Sequence, residues 1–568
     1  MVISGAKMVI EALLKEGVEV VFGYPGGAIM QVYDELYKYK GKIKHILTKH
    51  EQGAIHAADG YARSSGKVGV AFVTSGPGIT NAVTGIATAY TDSVPLVVIS
   101  GQVPVNAIGT DAFQEIDAVG ITRPCTKHNF LVKSVEELPF ILKEAFYLAR
   151  SGRPGPIHID IPKDVTIKEG KFTYPEKIEL KTYRPTLKGN KRAIKRAVEA
   201  IASAKRPLFY IGGGAVASGS YKLVRELVKI TQIPAVETLM GRGVLRHDCP
   251  YLLGMVGMHG SYAANMGMAE ADLIISLGAR FDDRVTGKLD EFAKNAEIVH
   301  IDIDPSQIGK VVETKYPIVG DLKLVLEDML PLIVEKVTPE RYQEWRELVF
   351  RYNELHPLTY QDSDEVIKPQ WVIERTGELA PDDALITTDV GQHQMWTAQF
   401  YPFNFPRQLI TSGGLGTMGF GFPASLGVKE AFPDRVVINF TGDGSIMMNI
   451  QEILTGTRYK LPVINIILNN NYLGMVRQWQ TMFYQDRLSE TDLSGEHQPD
   501  FVKLAESMGG IGFNVETKEE FDRAFKEALE SGKVAFLNVK VDRREDVLPM
   551  VPPNSPLKNI LVFKEGQE

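Results

Sequence analysis

Cysteine is almost absent from this sequence of 568 residues, which contains only Cys125 and Cys249. Two cysteines this far apart match neither a metal-binding spacing nor a disulfide framework, so we expect a reducing compartment and a cytoplasmic protein. No apolar run approaches the roughly 18 residues that a membrane-spanning helix requires. The N-terminal stretch 1–17 lacks the basic segment and small-residue cleavage site of a signal peptide and predicts an amphipathic helix.

The sequence also lacks an excess of basic charge. Its formal net charge is −7 and its pI is near 6.0, which gives no electrostatic footprint for nucleic acid or acidic lipid. Hydrophobic residues make up 44% and charged residues 23% of the chain, as in soluble globular proteins. A chain of this length is too long for one core and is expected to form about three or four domains.

Strand-like and helix-like patterns alternate along the chain, which predicts α/β units with parallel sheets. The first unit, 1–165, has strand candidates at 18–24, 43–48, 68–74, 96–100 and 157–161. A second unit, 191–340, has candidates at 207–212, 235–237, 273–277 and 298–303, and a third unit covers 369–545. The polar segments 166–190 and 341–368 are interpreted as linkers. The tail, 546–568, is interpreted as a mobile flap or a disordered end.

The stretch 442–476 of the third unit carries the strongest chemical signal. Gly442-Asp443-Gly444-Ser445 follows the strand candidate 436–440, and Asn469-Asn470-Asn471-Tyr472 follows the candidate 462–468. Parallel strands deliver both stretches to one edge of a sheet, and the separation of 27 residues between Asp443 and Asn470 leaves room for a crossover helix. Asp and Asn oxygens suit Mg²⁺, and glycine N–H groups at a helix start suit phosphate. The pair predicts a metal-bridged diphosphate clamp; the alternative is a tight turn beside an Asn-rich loop.

Other candidate residues also follow predicted strands. Glu51 precedes a predicted helix at 53–64, where a glutamate also fits ordinary helix-start chemistry. Gly212-Gly213-Gly214 fits either a nucleotide or a tight turn, and the charged stretch 280–284 fits either a ligand or a surface salt-bridge cluster. Runs of small residues at 78–89 and 414–427 suggest that the first and third units are duplicates, unless the likeness is chance. Duplicated units could face one another, so that Glu51 and Asp443 line one site.

These stretches together resemble the thiamine-diphosphate (ThDP) enzymes of the pyruvate-decarboxylase-like superfamily. Gly442-Asp443-Gly444 with Asn469-Asn470, in the third of three units, matches that architecture over nearly the whole chain. The segments 22–27, 50–53, 111–115, 280–287, 413–419 and 474–479 narrow the resemblance to the large catalytic subunits of acetolactate (acetohydroxyacid) synthases.

The resemblance implies an α/β fold of three doubly wound parallel-sheet domains, which bind the ThDP pyrimidine, FAD without a redox role, and the diphosphate with Mg²⁺. It implies decarboxylation of pyruvate and ligation of the hydroxyethyl unit to pyruvate or 2-ketobutyrate, in valine, leucine and isoleucine biosynthesis. A flavin-dependent pyruvate oxidase and a flavin-free catabolic acetolactate synthase remain alternatives. It also implies a homodimer or homotetramer and a small regulatory subunit.

The resemblance assigns roles to individual residues. Glu51 would hydrogen-bond N1′ of the aminopyrimidine, and Met418, with the Gly416 carbonyl, would hold the cofactor bent. Arg284 would bind the carboxylate of the second 2-keto acid, and Trp479 would pack on its alkyl group. The pocket would also be lined by Gly27, Phe113, Gln114 and Lys163, the first three from the opposite subunit.

The remaining assignments are ligand contacts. Mg²⁺ would be held by Asp443, Asn470 and the backbone carbonyl of Tyr472. The other ThDP contacts would be Pro25, Asn81, Val390, Gly391, Gln392, His393, Gly442, Gly444, Ser445, Leu473, Gly474, Met475 and Val476. FAD would contact Arg153, Gly213, Gly214, Met258, His259, Gly278, Ala279, Arg280, Asp302 and Asp321.

Three of these assignments have plain structural alternatives. Met418 could be core filler, the usual role of methionine, and Lys163 could be a solvated loop cation. Trp479 could be a core aromatic, although its polar neighbours Arg477 and Gln478 make a poor core pattern.

Overall fold

The computed structural model of the chain describes residues 1–563. These residues form three α/β domains, each built on a six-stranded parallel sheet, together with one two-stranded antiparallel ribbon. This confirms the predicted fold class. No helix among the described residues has the length and apolar character needed to cross a membrane.

The first domain begins with a short strand, and the helix predicted within 1–17 follows it as Gly5–Lys15. Its strands are β1 (Val2–Ser4), β2 (Val20–Gly23), β3 (Lys44–Leu47), β4 (Gly69–Val73), β5 (Leu96–Gln102), β6 (His128–Leu131), β7 (Pro156–Pro162) and β8 (Glu169–Lys171). Its helices are α1 (Gly5–Lys15), α2 (Met30–Tyr37), α3 (Glu51–Ser65), α4 (Pro77–Thr91), α5 (Ala118–Thr122), α6 (Leu138–Arg150) and α7 (Lys163–Ile167). Strands β1 and β8 pair as the ribbon, so part of the predicted linker 166–190 is tied to the N-terminal end.

The central domain has strands β9 (Pro207–Ile211), β10 (Ala235–Glu237), β11 (Leu252–Met255), β12 (Leu273–Leu277), β13 (Glu297–Asp302) and β14 (Tyr316–Val319). Its helices are α8 (Lys191–Ser203), α9 (Gly213–Ala217), α10 (Tyr221–Thr231), α11 (Tyr262–Glu270), α12 (Asp283–Thr286), α13 (Leu322–Lys336) and α14 (Gln343–Leu355). Helix α14 occupies much of the predicted linker 341–368, because Trp345 and Val349 pack into the apolar layer of this domain.

The third domain has strands β15 (Leu385–Thr388), β16 (Leu409–Ile410), β17 (Val437–Gly442), β18 (Ile464–Asn469), β19 (Ile511–Val515) and β20 (Ala535–Lys540). Its helices are α15 (Pro369–Leu379), α16 (Gln392–Phe400), α17 (Gly421–Ala431), α18 (Asp443–Ile446), α19 (Ile453–Tyr459), α20 (Gly474–Phe483), α21 (Phe501–Ser507) and α22 (Lys518–Ser531).

Each sheet is covered on both faces, which explains why its central strands are continuously apolar. In β4, Val70 and Phe72 belong to one apolar layer, whereas Ala71 and Val73 belong to another. Successive side chains of a strand point to opposite faces of the sheet. A run with no polar alternation therefore marks a strand buried on both sides.

The strand orders relate the domains to one another. The first sheet runs β3-β2-β4-β5-β7-β6 and the third runs β16-β15-β17-β18-β20-β19, which is the same order once each sheet is numbered from its own first strand. This agreement supports the duplication suggested by the repeated runs of small residues. The central sheet runs β11-β10-β9-β12-β13-β14, the order of dinucleotide-binding doubly wound domains.

The expectation of a mobile or disordered C-terminal tail is wrong for 546–563. Val551, Leu557 and Ile560 are buried in an apolar layer of the central domain, and the Val551 N–H donates to the Met258 carbonyl at 2.7 Å. These contacts come from loops and a single short turn, Leu557–Asn559, so they leave no periodic signal in the sequence. The last part of the predicted tail, 564–568, lies outside the described residues.

Candidate active site

The two halves of the predicted clamp lie side by side. Strand β17 pairs in parallel with β18, and Gly442 is in register with Leu468. Asp443 therefore emerges beside Asn469 and Asn470, at the edge where bound molecules sit in sheets of this kind. The sequence prediction that both stretches reach one sheet edge is confirmed.

The Asp443 carboxylate has one oxygen that is available to bind a cation. It is buried, and its Oδ1 has no hydrogen-bond partner. Burial raises the pKa of Asp443 to about 7, and the backbone N–H groups of Gly444, Asn470 and Asn471 offset part of that rise. Within 1–563 no group of three or more His, Cys, Asp or Glu side chains could hold a metal. A cation here would meet the Asp443 carboxylate together with amide and carbonyl oxygens, a donor set that suits Mg²⁺.

Asn470 is held by two hydrogen bonds. Its Oδ1 accepts from the Tyr472 N–H at 3.0 Å, and its Nδ2 donates to Gln392 Oε1 at 3.2 Å. Together the two bonds fix the orientation of the Asn470 amide. The Tyr472 ring is buried beneath the Arg543 guanidinium, which lies 4.6 Å from the ring centroid. A contact from Tyr472 to a metal would therefore come from its backbone, as the sequence suggested.

The loops that follow β15 and β17 form the rest of this edge. Ser445 Oγ donates to the Val390 carbonyl at 3.2 Å and joins the two loops. Gly391 has φ +154°, and a Cβ there would lie 2.8 Å from the His393 ring, so only glycine fits. Burial lowers the pKa of His393 to about 3, which keeps its ring neutral, and its Nε2 has no hydrogen-bond partner. An orphaned polar atom and a glycine-lined cradle fit a diphosphate.

The other ThDP contacts predicted after β18 lie at the start of α20. Gly474 is the first residue of that helix, with Leu473 at its N-cap. Leu473 and Met475 are partly exposed, and Val476 is 49% exposed. Gly442 and Gly444 flank Asp443, where a Cβ on Gly442 would lie 3.1 Å from the His393 ring.

The loop that carries Gly416 and Met418 is held by the first domain of the same chain. Asp92 accepts from the N–H groups of Gly413 and Gly414 at 2.9 and 2.7 Å. The fully buried Asp92 carboxylate also pairs with Arg63 at 3.0 Å. Gly416 has φ +71°, in the region that favours glycine, and Met418 is partly buried beyond it.

Glu51 is the first residue of α3, and the His50 side chain caps the helix by accepting from the Gln52 N–H. Glu51 Oε2 accepts a hydrogen bond from Asn81 Nδ2 of α4 at 3.0 Å, and this pair is exposed at the surface. The structure thus brings these two predicted residues together. Pro25 and Gly27 lie exposed after β2. No hydrogen bond within 1–563 joins the Glu51 side chain to the clamp of the same chain.

The remaining pocket candidates of the first domain lie on loops. Phe113 is 88% exposed, and Gln114 has φ +61°. A Cβ on Gly76 would lie 2.9 Å from the Gln114 carbonyl, which places this loop against the start of α4. Lys163 is the partly buried first residue of α7.

The two predicted acceptor-site residues occupy different domains. Arg284 is on the short α12, its side chain is 63% exposed, and its Nη1 lies 3.9 Å from Met258 Sδ. Trp479 is partly exposed on α20 and packs edge-to-face on Phe483 at 5.6 Å between ring centroids. It is therefore not a core aromatic.

The predicted FAD residues cluster at the end of the central sheet where strand order reverses. Gly213 and Gly214 follow β9, and Gly278, Ala279 and Arg280 follow the adjacent β12. A Cβ on Gly214 would lie 2.7 Å from Gly278 Cα, and Gly278 has φ +64°. The close backbone approach fits a nucleotide at this switch point.

Other predicted FAD residues surround this switch point. Burial raises the pKa of Asp302 to about 6 and lowers that of His259 to about 4. His259 Nδ1 is buried without a partner, which leaves room for a ligand contact. Arg153 reaches from the first domain to Asp304 at 3.2 Å. Asp321 already caps α13 by accepting from the Leu324 N–H at 3.2 Å.

Sequence reasoning missed a buried amide chain behind Asn470. Gln392 Nε2 donates to Gln478 Oε1 at 2.9 Å, and the Gln478 amide bonds both the N–H and the carbonyl of Val547. Arg477, a polar neighbour of Trp479 in the sequence, has a side chain that is only 1% exposed and that pairs with Asp546 at 2.7 Å. Both partners come from the C-terminal segment, so no local signal could reveal them.

A second missed residue is Glu452. It is fully buried in the third domain, yet its carboxylate binds backbone of the first domain. Its neighbour in the sequence, Gln451, is also polar, and nothing local distinguishes a buried from an exposed carboxylate at this position.

Comparison with known proteins places this geometry in a family. Residues 3–121, 194–329 and 389–539 match the N-terminal TPP-binding, central and C-terminal TPP-binding domains of thiamine pyrophosphate enzymes. The chain is 50% identical to the acetolactate synthase isozyme 3 large subunit of Escherichia coli K12, covering 96% of each protein. It is 48% identical to the acetolactate synthase large subunit of Haemophilus influenzae, covering 100% of this chain and 99% of that one.

A third relative is similar to nearly the same degree. The chain is 47% identical to the probable acetolactate synthase large subunit of Methanocaldococcus jannaschii, covering 98% of this chain and 95% of that one. Identity of this order along whole chains, together with three matching domains, leaves one assignment: the chain belongs to the acetolactate synthase large-subunit family of thiamine pyrophosphate enzymes.

Proposed function

We propose that this chain is a catalytic acetolactate synthase subunit that makes 2-acetolactate from two pyruvates and 2-aceto-2-hydroxybutyrate from pyruvate and 2-ketobutyrate. These products serve valine, leucine and isoleucine biosynthesis. The observation that carries the proposal is the clamp of Asp443 and Asn470, at one sheet edge of a chain about half identical to named acetolactate synthases. When bound, ThDP supplies the carbanion chemistry for both decarboxylation and ligation.

Asp443, Asn470 and the Tyr472 carbonyl would hold Mg²⁺, the cation that accompanies the cofactor diphosphate. The unpaired Asp443 Oδ1 supports this assignment, because a buried carboxylate without a partner is costly unless a cation binds it. The glycine-lined loops after β15 and β17 would supply N–H groups to the diphosphate.

Glu51 acts on the cofactor's pyrimidine. Its carboxyl group would hydrogen-bond N1′, while Asn81 Nδ2 donates to Glu51 Oε2 at 3.0 Å. The Gly416 carbonyl would accept from the 4′-amino group, and Met418 would pack against the cofactor. The contacts of Asp92 with the N–H groups of Gly413 and Gly414 hold this loop in place.

The second 2-keto acid binds between the central and third domains. Arg284 binds its carboxylate through the guanidinium fork, and Met258 packs against that guanidinium. Trp479 contacts its alkyl group and favours 2-ketobutyrate over pyruvate. One extra methylene in an apolar pocket contributes roughly 1–3 kcal/mol, or about 10–200-fold.

Each site is completed by a second copy of the chain, in at least a homodimer. Glu51 faces an open surface, and large apolar side chains of the first and third domains are exposed, among them Phe113 at 88%, Met448 at 52% and Leu415 at 44%. Exposed apolar groups of this size mark an interaction surface. Gly27, Phe113 and Gln114 of one copy then line the clamp of the other.

FAD binds the central domain without a redox role. The strand order of that domain, the approach of Gly214 to Gly278 and the orphaned His259 Nδ1 support it. A small regulatory subunit is a further partner, because the relatives are named large subunits. The protein acts in the cytoplasm, in keeping with its two unpaired cysteines.

Product analysis tests the proposed function. Purified protein with ThDP, Mg²⁺ and FAD is supplied with pyruvate and 2-ketobutyrate without oxygen. We expect acetolactate and acetohydroxybutyrate, with the flavin remaining oxidised. Acetate or acetyl phosphate with reduced flavin would instead identify a pyruvate oxidase, and full turnover without any flavin would favour a flavin-free acetolactate synthase.

A further inference from the structure

A buried carboxylate of the third domain lies at the start of the helix that carries Glu51. Glu452 Oε1 accepts from the N–H groups of Lys49 and His50 at 3.0 and 3.1 Å. Its Oε2 accepts from Lys49 N–H at 3.2 Å and from Thr455 Oγ1 at 2.6 Å. Glu452 is 0% exposed, so water cannot replace these bonds.

The first turn of α3 is shaped around this carboxylate. A Cβ on Gly53 would lie 2.5 Å from Glu452 Oε1, so glycine is required there. Further along, a Cβ on Gly60 would lie 2.2 Å from the Ala424 carbonyl of α17. Backbone contact with α17 thus fixes the body of α3, whereas Glu452 fixes its first turn.

Lys49 and His50 immediately precede Glu51, and His50 is the N-cap of the helix. The peptide groups that Glu452 binds therefore set the direction in which the Glu51 side chain leaves the backbone. We propose that Glu452 is a positioning residue that aims the Glu51 carboxyl group at the cofactor's N1′. This inference rests on the proposed function of Glu51.

The geometry predicts which substitutions keep this role. Glutamine at 452 can accept both backbone N–H groups on Oε1 and donate from Nε2 to Thr455 Oγ1. The Thr455 hydroxyl can then donate to the Leu47 carbonyl, 3.4 Å away. A protonated Glu452 makes the same bonds, and burial raises its pKa to about 7. Alanine loses every bond, and aspartate is shorter by one methylene.

Deuterium exchange at C2 of bound ThDP measures the action of Glu51 without substrate. We expect Glu452→Ala to slow this exchange about 10–100-fold, since small misplacements of catalytic groups have effects of this order. We expect Glu452→Gln to remain within about threefold of the unchanged protein, because it retains the hydrogen bonds. ThDP affinity should change much less than the exchange rate.

A double-mutant cycle separates positioning from general damage. If Glu452 acts through Glu51, Glu452→Ala should slow exchange far less in a Glu51→Gln background. The matched control is Tyr459→Phe, which removes a 2.9 Å bond from the Leu47 N–H across the same domain boundary. This control should leave exchange unchanged.

The inference is overturned if Glu452→Ala slows C2 exchange equally with Glu51 and with Gln at position 51. It is also overturned if Glu452→Gln slows exchange as much as Glu452→Ala does. If the alanine variant does not fold, Glu452→Asp takes its place in the same cycle with the same criteria. Absence of any accelerated exchange in the unchanged protein would instead defeat the proposed function, and the inference with it.

Discussion

Replacing Gly474 by alanine should disable the metal ligand Asn470 without altering it directly. A Cβ at 474 would lie 2.1 Å from Gln392 Oε1 and 2.8 Å from Asn470 Nδ2. An ordinary contact needs about 3.5 Å, so the Gln392 amide must retreat by more than ~1 Å. Because the bond between Asn470 Nδ2 and Gln392 Oε1 measures 3.2 Å, this retreat breaks it.

The loss can be estimated from the burial of both groups. Asn470 and Gln392 are both buried, and each polar group left unpaired costs about 1–3 kcal/mol. Without Gln392 the Asn470 amide keeps only the hydrogen bond from the Tyr472 N–H to its Oδ1, so its orientation is held less firmly. Loss of an outer partner of a metal ligand lowers affinity about 10–100-fold, and we expect a loss of this size for Mg²⁺.

Mg²⁺ titration of turnover, at saturating ThDP, measures this effect. The control is Gly495→Ala, because a Cβ at Gly495 would meet no atom within 4 Å. We expect the control to match the unchanged protein and Gly474→Ala to need much more Mg²⁺ for half-maximal rate. An unaltered Mg²⁺ requirement in Gly474→Ala would refute the role assigned to the Asn470–Gln392 bond.

Three further predictions concern single side chains. Glu51→Gln should lower turnover by about 10²–10⁴-fold, the usual range for general acid–base groups, while cofactor binding measured by fluorescence titration changes little; unchanged turnover would remove Glu51 from the mechanism. Trp479→Leu should reduce the preference for 2-ketobutyrate in a competition assay, and an identical product ratio would contradict the assignment. The pKa of Glu452 is raised from 4.5 to about 7, so the folded protein keeps this proton at pH values where the unfolded chain has lost it. The free energy of unfolding therefore falls by about 3 kcal/mol as the pH rises between those two values. Glu452→Gln should remove that fall in urea unfolding, and parallel pH profiles of the two proteins would contradict it.

Many of the strands buried on both faces were predictable from the sequence. The run 273–277 was predicted as a strand, and β12 spans the same residues, Leu273–Leu277. Seven strands of the three large sheets were not predicted: β6, β11, β14, β15, β16, β19 and β20. Five of them, all except β15 and β20, lie at a sheet edge, where mixed composition and partial exposure weaken the apolar signal.

Some residues of the candidate site were predictable from the sequence, and others were not. Asp443 and Asn470 were predictable because each follows its own buried strand, so that topology alone brings them together. Gln478 and Glu452 were not, because their partners, Val547 and the backbone at Lys49, are distant in sequence. Burial of a polar side chain is decided by such tertiary partners rather than by local pattern.

The central claim is that Glu51 of one chain and the Asp443 clamp of another form one site. Mixing two inactive variants, Glu51→Gln and Asp443→Asn, tests it directly after the subunits exchange. In a random equal mixture, half of the dimers hold one copy of each variant, and one of their two sites carries neither change. We predict recovery of about a quarter of the full activity, whereas a mixture as inactive as its components would contradict a shared site.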